Sequence, residues 1–267
     1  MPTFSVSTWN INSVRLRIGL VRRFLAMRAP DVLVLQEIKC QAHQFPAAAF
    51  EAAGYPHHAV RGQKGYHGVA IVSRHPLAAV DHHDWCAMGD ARHVEAVVAT
   101  PAGPWRVHGF YVPAGGDVAD PALNPKFDHK LRFIEEMRLL AHTRDGVPSL
   151  LAGDLNIAPL PTDVWSHRQL LKVVSHTPVE TEGLERVIAE GGWSDLLRRA
   201  VPPEQPLYTW WSYRSPDWDR ADKGRRLDHI WSSPLLAERL AAVEVLREAR
   251  GWEKPSDHVP VTATFHL

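Results

Sequence analysis

Two short apolar runs in this chain end on carboxylates. One is DVLVLQE, residues 31–37, which closes on Glu37; the other is SLLAGD, residues 149–154, which closes on Asp154. Each is an unbroken apolar stretch of strand length, so each reads as a strand buried on both faces. A buried strand is a rigid support, and an acid at its tip has to satisfy its charge where the strand leaves it. In the second run Gly153 reads as the strand's end. Asp154 and Asn156 then lie two residues apart on one face of an extension, with Pro159 close behind.

The remaining pattern alternates strands and helices. FSVSTWN alternates apolar and polar residues from Phe4, as a half-buried strand does. Ser13 is placed to cap a helix from Val14 to Met27 with Leu16, Leu20, Phe24 and Met27 near one face. Strands follow over 68–74, 93–100 and 105–112, the last two joined by a PAGP turn. The clearest helix is predicted over 126–143, where Phe127, Leu131, Ile134, Met137 and Leu140 recur at three- and four-residue spacing. LYTWW, RLDHIW, AAVEVL and VPVTATF read as late strands, while 157–180 and 212–226 read as long loops beside acidic strand ends. Helices mixed with hairpin-like strands point to α/β or α+β layers with mixed sheets, not to a parallel barrel.

Five strand ends carry polar groups ill suited to a core: Asn10 with Asn12, Glu37, Asp154 with Asn156, Asp228, and Asp257 with His258. Delivered to the same ends of central strands, they would meet in one crevice. Carboxylates gathered there repel one another, and burial raises their pKa values. A hard divalent cation resolves the conflict, and the all-oxygen inventory favours Mg²⁺ over zinc, since HExxH and a cysteine pair are both lacking. The chemistry such a cation suits is attack on a phosphate ester. Cys40 and Cys86 show no CxxC spacing and read as reduced thiols. Two histidine pairs, His57–His58 and His82–His83, read as surface or loop residues.

At these residues the chain resembles the exonuclease III family of abasic-site endonucleases, within the deoxyribonuclease I-like endonuclease–exonuclease–phosphatase superfamily. WNIN, LQEIK, YHGVAIVSR, YVPAGG, GDLNIAP, YTWWSYR, RLDHIW and SDHVPV occur in the family's order across residues 8–261. The resemblance implies one catalytic domain over 1–267. It also implies an α/β (α+β) four-layered sandwich, with two mixed, mainly antiparallel sheets packed face to face and flanked by helices. It makes Glu37 the principal ligand of Mg²⁺, for which Mn²⁺ may substitute, with Asn10, Asp154, Asn156 and Asp257 at the metal. Asp154 would orient or deprotonate the attacking water, or protonate the leaving oxygen. Asn156 and Tyr111 would contact the phosphate, and Asp228 with His258 would form a carboxylate–imidazole pair.

The implied reaction is incision 5′ to abasic sites in double-stranded DNA, with 3′→5′ exonuclease action and cleaning of blocked 3′ ends. Asn12, Lys64, Lys126, Trp210, Arg214 and Leu227 are the implied substrate contacts, Trp210 and Leu227 lining an apolar pocket for a base-less sugar. Further basic candidates for phosphate tracking are Arg15, Arg17, Lys130, Arg168, Lys172, Lys223, Arg225 and Arg226. Formal net charge is zero, so a phosphate-binding face has to come from local clustering. Two positions depart from the family: Ala114 stands where an amide is common, and Arg225 where some relatives carry a pocket tryptophan. The alternative is a phosphodiesterase or phosphatase of the same superfamily acting on lipid or inositol phosphates. No apolar run reaches the roughly 18 residues of a membrane span, and the N-terminus lacks a signal-peptide pattern. The expectation is a cytoplasmic monomer with no membrane partner.

Overall fold

The computed structural model describes residues 2–141 and 145–267. Among them, β1 (Thr3–Asn10), β2 (Val32–Gln36), β3 (His57–Arg61) and β4 (Val69–Ser73) belong to one six-stranded sheet, completed by the late strands β13 (Leu240–Val245) and β14 (Val261–His266). Its order is β13-β14-β1-β2-β4-β3. A second six-stranded sheet, ordered β5-β6-β7-β8-β12-β9, contains β5 (Leu77–Asp81), β6 (His93–Thr100), β7 (Gly103–Tyr111), β8 (Ser149–Asp154), β9 (Ser194–Asp195) and β12 (Asp228–Ser232). A small ribbon pairs β10 (Trp210–Trp211) with β11 (Gly224–Arg225). Among the described residues only the pairs β1–β2 and β7–β8 are parallel, so both large sheets are mixed and mainly antiparallel.

The packing follows from the strand patterns. Val34, Ile71, Val107, Leu150, Ala152, Ile230 and Val261 share the central core, where the inner faces of the sheets meet. On the outer face of the first sheet Leu33, Leu35 and Val72 pack with Val21, Phe24 and Leu25 of helix α1 (Ile18–Arg28) and Phe50 of α2 (Ala47–Glu51). On the outer face of the second, Leu151 and Trp231 pack with Phe133, Ile134 and Met137 of α3 (Pro125–Met137) and Leu184 and Val187 of a longer helix, Pro178–Gly191. The apolar runs of β2 and β8 are thus covered on both faces, as their lack of alternation requires. The result is the four-layered sandwich that the resemblance implied.

Several local expectations are corrected. The first helix starts at Ile18, not Val14, because the backbone of Ser13 and Val14 bonds to the carbonyls of Glu37 and Ile38 instead. Leu16 is 66% exposed rather than on a buried helix face, and Met27 is also exposed. The predicted helix over 126–143 ends at Met137, and its last two positions lie outside the described residues. Residues 157–180 fold into short helical turns and the start of the Pro178–Gly191 helix, and 212–226 holds a turn at Trp218–Ala221. His57 and His58 lie on β3, not in a loop. Gly153 does not end its strand: β8 continues through Asp154, and a Cβ at Gly153 would lie 2.1 Å from the Phe110 carbonyl oxygen of β7.

His229 of β12 gives the core a pH-dependent element. Its Nε2 lies 2.8 Å from the Ile157 carbonyl and its Nδ1 is buried with no hydrogen-bond partner among the described residues. Burial first, and the nearby Arg226 cation second, push its pKa down to about 3 from 6.5. The stabilisation from keeping this ring neutral is complete above the unfolded-state pKa and is lost as pH falls towards the folded one. The loss amounts to about 1.4 kcal/mol per pH unit within that window. Urea unfolding at pH 7.5 and pH 5 should show His229→Gln losing less stability on acidification than wild type; parallel losses would refute the assignment.

Candidate active site

Strand register brings the polar ends together. Parallel pairing of β1 with β2 sets Asn10 beside Gln36, so Asn10 and Glu37 leave the first sheet at the same end. Parallel pairing of β7 with β8 sets Tyr111 beside Asp154, and antiparallel pairing of β8 with β12 sets Asp154 beside Asp228. The segment entering β14 is drawn in by Ser256, whose Oγ donates to the Asn10 carbonyl at 2.6 Å, and by an isolated bridge between Trp210 and His258.

One amide joins the two sheets. Asn10 Nδ2 donates to Glu37 Oε1 at 2.9 Å and to Asp154 Oδ2 at 2.8 Å. Tyr111 OH donates to the same Glu37 oxygen at 2.8 Å, and Lys39 Nζ meets Glu37 Oε2 at 2.8 Å. On the other side His258 Nε2 lies 3.6 Å from Asp154 Oδ2, and its Nδ1 lies 2.8 Å from Asp228 Oδ2. Thr209 Oγ1 donates to that Asp228 oxygen at 2.6 Å. Asp257 stands beside this chain, its Oδ2 accepting the Trp210 indole N–H at 2.9 Å. Asn10, Asp154, Asp228 and His258 are all buried.

The exits from the strands are bent. Asn12, Glu37, Lys39 and Asn156 all have left-handed backbones, with φ of 48°, 49°, 50° and 54°. Such conformations cost energy for side-chain-bearing residues and concentrate at working sites. At Asn156 the bend changes the expected picture. Asp154 and Asn156 do not extend along one strand face; the Asn156 N–H turns back to Asp154 Oδ1 at 2.9 Å, and its Nδ2 donates to the Val112 carbonyl at 2.9 Å. The turn and the site are the same feature.

The charges are strongly coupled. Burial drives Asp154 above the ordinary carboxylate range, with His258 pulling the other way. Burial alone would neutralise the His258 ring, but Asp228 and then Asp154 outweigh it, so the imidazolium is favoured well past neutral pH. Burial also pushes Glu37 up, but hydrogen bonds from Asn10 and Lys39 more than offset it. Tyr111 is raised well above its usual value by burial and by the Glu37 and Asp154 charges, so the phenol keeps its proton and donates. Asp228 Oδ1 is buried with no hydrogen-bond partner among the described residues. Ligand atoms of Asp154, Asp228 and His258 lie within 4.8 Å of one another, and Glu37 reaches the same Asn10 amide as Asp154, so the carboxylates at this end of the sheets are of the kind that fits a hard cation.

The expected substrate contacts divide. Asn12 Nδ2 lies 3.3 Å from the Tyr213 hydroxyl, and its Oδ1 accepts from Lys39 Nζ at 2.6 Å. Lys64, Lys126 and Arg214 are exposed. Leu227 is buried with Ala158, Val164 and Leu170, with Trp165 and Trp210 packed against that cluster. Of the two adjacent tryptophans, Trp211 is core and Trp210 half-buried. Lys130 and Arg226 are not free to track phosphates. Lys130 Nζ is fully buried against Glu180 and donates to the Asn156 carbonyl at 2.7 Å, while Arg226 is spent on Asp163 and Asp195. The pocket beside Trp210 is not the snug apolar slot expected. It measures about 660 Å³, and charged side chains share its walls with Trp165 and Trp210.

Sequence reasoning missed Lys39, Thr209 and Arg92. Lys39 closes the LQEIK motif, and Thr209 precedes Trp210; the signal lay inside quoted motifs. Arg92, whose guanidinium carbon stands 5.0 Å from the Tyr111 ring centre, carried no such mark. A histidine group was also missed: His93, Glu95 and His108 meet on the second sheet. Its His93 Nδ1 accepts the His83 N–H at 2.9 Å, which leaves a neutral ring's proton on the very nitrogen a metal would need.

The family described as Endonuclease/Exonuclease/phosphatase matches residues 7–258. The chain belongs to this family. It is 31% identical to exodeoxyribonuclease III of Haemophilus influenzae, over 97% of this chain and 98% of that one. An AP endonuclease structure from Archaeoglobus fulgidus superposes with a TM-score of 0.90 at 31% identity, covering 99% of this chain and all of that one. A 3′ phosphatase from Neisseria bound to product DNA hairpin superposes at 0.89 with 36% identity, over 99% of this chain and 100% of that one. These relatives favour nucleic acid over lipid or inositol phosphates, and the chain is a nuclease-type hydrolase.

Asp228 tests the geometry directly. Asp228→Asn keeps the side-chain shape but removes the charge that holds His258 protonated and oriented. Turnover should fall by about 10²–10⁴-fold with the circular dichroism spectrum unchanged. Activity within threefold of wild type would separate Asp228 from the reaction.

Proposed function

We propose that residues 1–267 form a single catalytic domain that hydrolyses phosphodiesters in duplex DNA with a divalent cation. Its reactions are incision 5′ to abasic sites, 3′→5′ exonuclease action and removal of 3′ blocking groups. The observation that supports this most is the Asn10 amide shared by Glu37 and Asp154, with the imidazole of His258 3.6 Å from the same Asp154 oxygen. That arrangement offers a cation-binding acid, a proton-handling acid and a cationic donor on one side of a single phosphate.

Glu37 would hold Mg²⁺, or Mn²⁺ in its place, with Asn10 and Asp257 beside it. When bound, the cation neutralises charge that builds on the phosphate oxygens. Asp154 orients the attacking water and takes its proton; its raised pKa brings its proton affinity close to working pH. His258 donates through Nε2 to a phosphate oxygen, with Asp228 fixing the proton on Nδ1. Tyr111 keeps its proton and is placed to donate to the same group. Asn156 stiffens the site through its bonds to Asp154 and Val112. The reaction needs little covalent chemistry beyond this positioning and charge stabilisation. Every group named comes from one chain, which supports a working monomer.

The direct test uses a 5′-labelled duplex with one abasic site. Incision should appear with Mg²⁺, vanish in EDTA and return on adding Mg²⁺ in excess. Glu37→Ala should lose on the order of 10²-fold or more of the rate while its thermal melt stays cooperative. A folded wild-type protein that never nicks this duplex in the presence of Mg²⁺ or Mn²⁺ would refute the proposal.

A further inference from the structure

We infer that Arg225 makes the pocket beside Trp210 an anion-reading subsite, so the enzyme favours strand ends that carry an oxyanion just beyond the scissile phosphorus over neutral ones. The inference rests on the proposed hydrolysis of phosphodiesters and names what that site selects. The pocket, about 660 Å³, is lined by Arg214, Lys223 and Arg225 against one acid, Asp117. None of the three cations has an ion-pair partner among the described residues. Two of them lie over indole faces: Lys223 Nζ stands 4.7 Å from the Trp165 ring centre and the Arg225 guanidinium carbon 5.3 Å from that of Trp210.

Arg225 is fixed rather than loose. Its Nη1 donates to the Val174 carbonyl at 3.1 Å and to Ser175 Oγ at 2.7 Å, and its strand β11 pairs with Trp210. Its Nε is buried and has no hydrogen-bond partner among the described residues. A pinned guanidinium with an unpaired buried donor, which feels Glu180 only through space because that acid is paired with Lys130, is a costly way to build an apolar wall. It is an effective way to hold an oxyanion, because the planar fork matches carboxylate and phosphate oxygens. The position is coupled to the reacting centre, since Trp210 donates to Asp257 and bridges to His258. A group seated against Arg225 is therefore one side chain, Trp210, away from Asp257 and His258. The oxyanion can be the carboxylate of a short ester arm left on a broken 3′ end, or the next phosphate of a continuous strand.

Three 5′-labelled duplexes distinguish these sources. One carries a 3′-phosphoglycolate, one the neutral 3′-phosphoethanol analogue, and one a terminal abasic residue bearing a further 3′-phosphate. Dissociation constants are measured by anisotropy in EDTA, and kcat/KM in Mg²⁺, for wild type, Arg225→Met and Arg225→Lys. Wild type should prefer at least one anionic end over the neutral end by tenfold or more in both measurements. Arg225→Met should bring the ratio close to one, and Arg225→Lys should restore part of it. Equal anionic-to-neutral ratios in wild type and Arg225→Met would overturn the inference. Selective, Arg225-dependent binding without cleavage would keep it and refute the proposed reaction instead.

Discussion

The structure depends on a single constraint: carboxylates buried together at the ends of two sheets have to be held without neutralising one another's function. The Asn10 amide meets that constraint most directly. It donates to Glu37 on the first sheet and to Asp154 on the second, so one side chain ties the two layers together where their charges are closest. An amide is suited to this because it donates without adding charge, leaving net negative potential for a cation. Around it Lys39 and Tyr111 take further lone pairs of Glu37, and His258 takes one of Asp228.

That arrangement requires strands whose ends cannot drift. The two parallel pairs, β1–β2 and β7–β8, lie next to the β14 and β12 strands that complete the site. A parallel neighbour ends at the same edge of the sheet, whereas a hairpin partner turns back. Placing one parallel pair in each sheet lets acids from chain positions as distant as Glu37 and Asp154 leave the sandwich side by side. Gly153 shows how closely this is fitted. Any side chain there would strike the Phe110 carbonyl and push β8, with Asp154, away from Tyr111.

Much of this was legible in the sequence, for a physical reason. Unbroken apolar runs such as Val32–Leu35 can only be central strands, and the polar residue ending each has nowhere to go but the sheet edge. Mixed sheets with helices and a convergence of the polar strand ends could be read from that pattern, while the four-layered sandwich came from the resemblance. What was not legible depended on long-range backbone bonding. The first helix starts late because Ser13 and Val14 bond to the exit from β2, a contact no helical periodicity reveals. The left-handed turn at Asn156 likewise depends on Val112 and on Lys130 from α3. Lys130 and Arg226 look like any surface cations in the sequence, and only their burial against Glu180, Asp163 and Asp195 removes them from the substrate face.

Zero net charge does not by itself set the field a polyanion meets. Lys130, Arg198 and Arg226 are paired with Glu180, Asp163 and Asp195, which withdraws equal numbers of both signs and leaves the field to the placement of the other charges. Glu37, Asp154 and Asp228 are set against Lys39 and His258. Three cations with no ion-pair partner among the described residues, Arg214, Lys223 and Arg225, gather at the pocket next to that centre. Local field, not total charge, governs how a cleft concentrates a charged ligand. The chain therefore separates two charge environments that its composition averages to nothing: an acidic cluster at the strand ends and a cationic wall beside it.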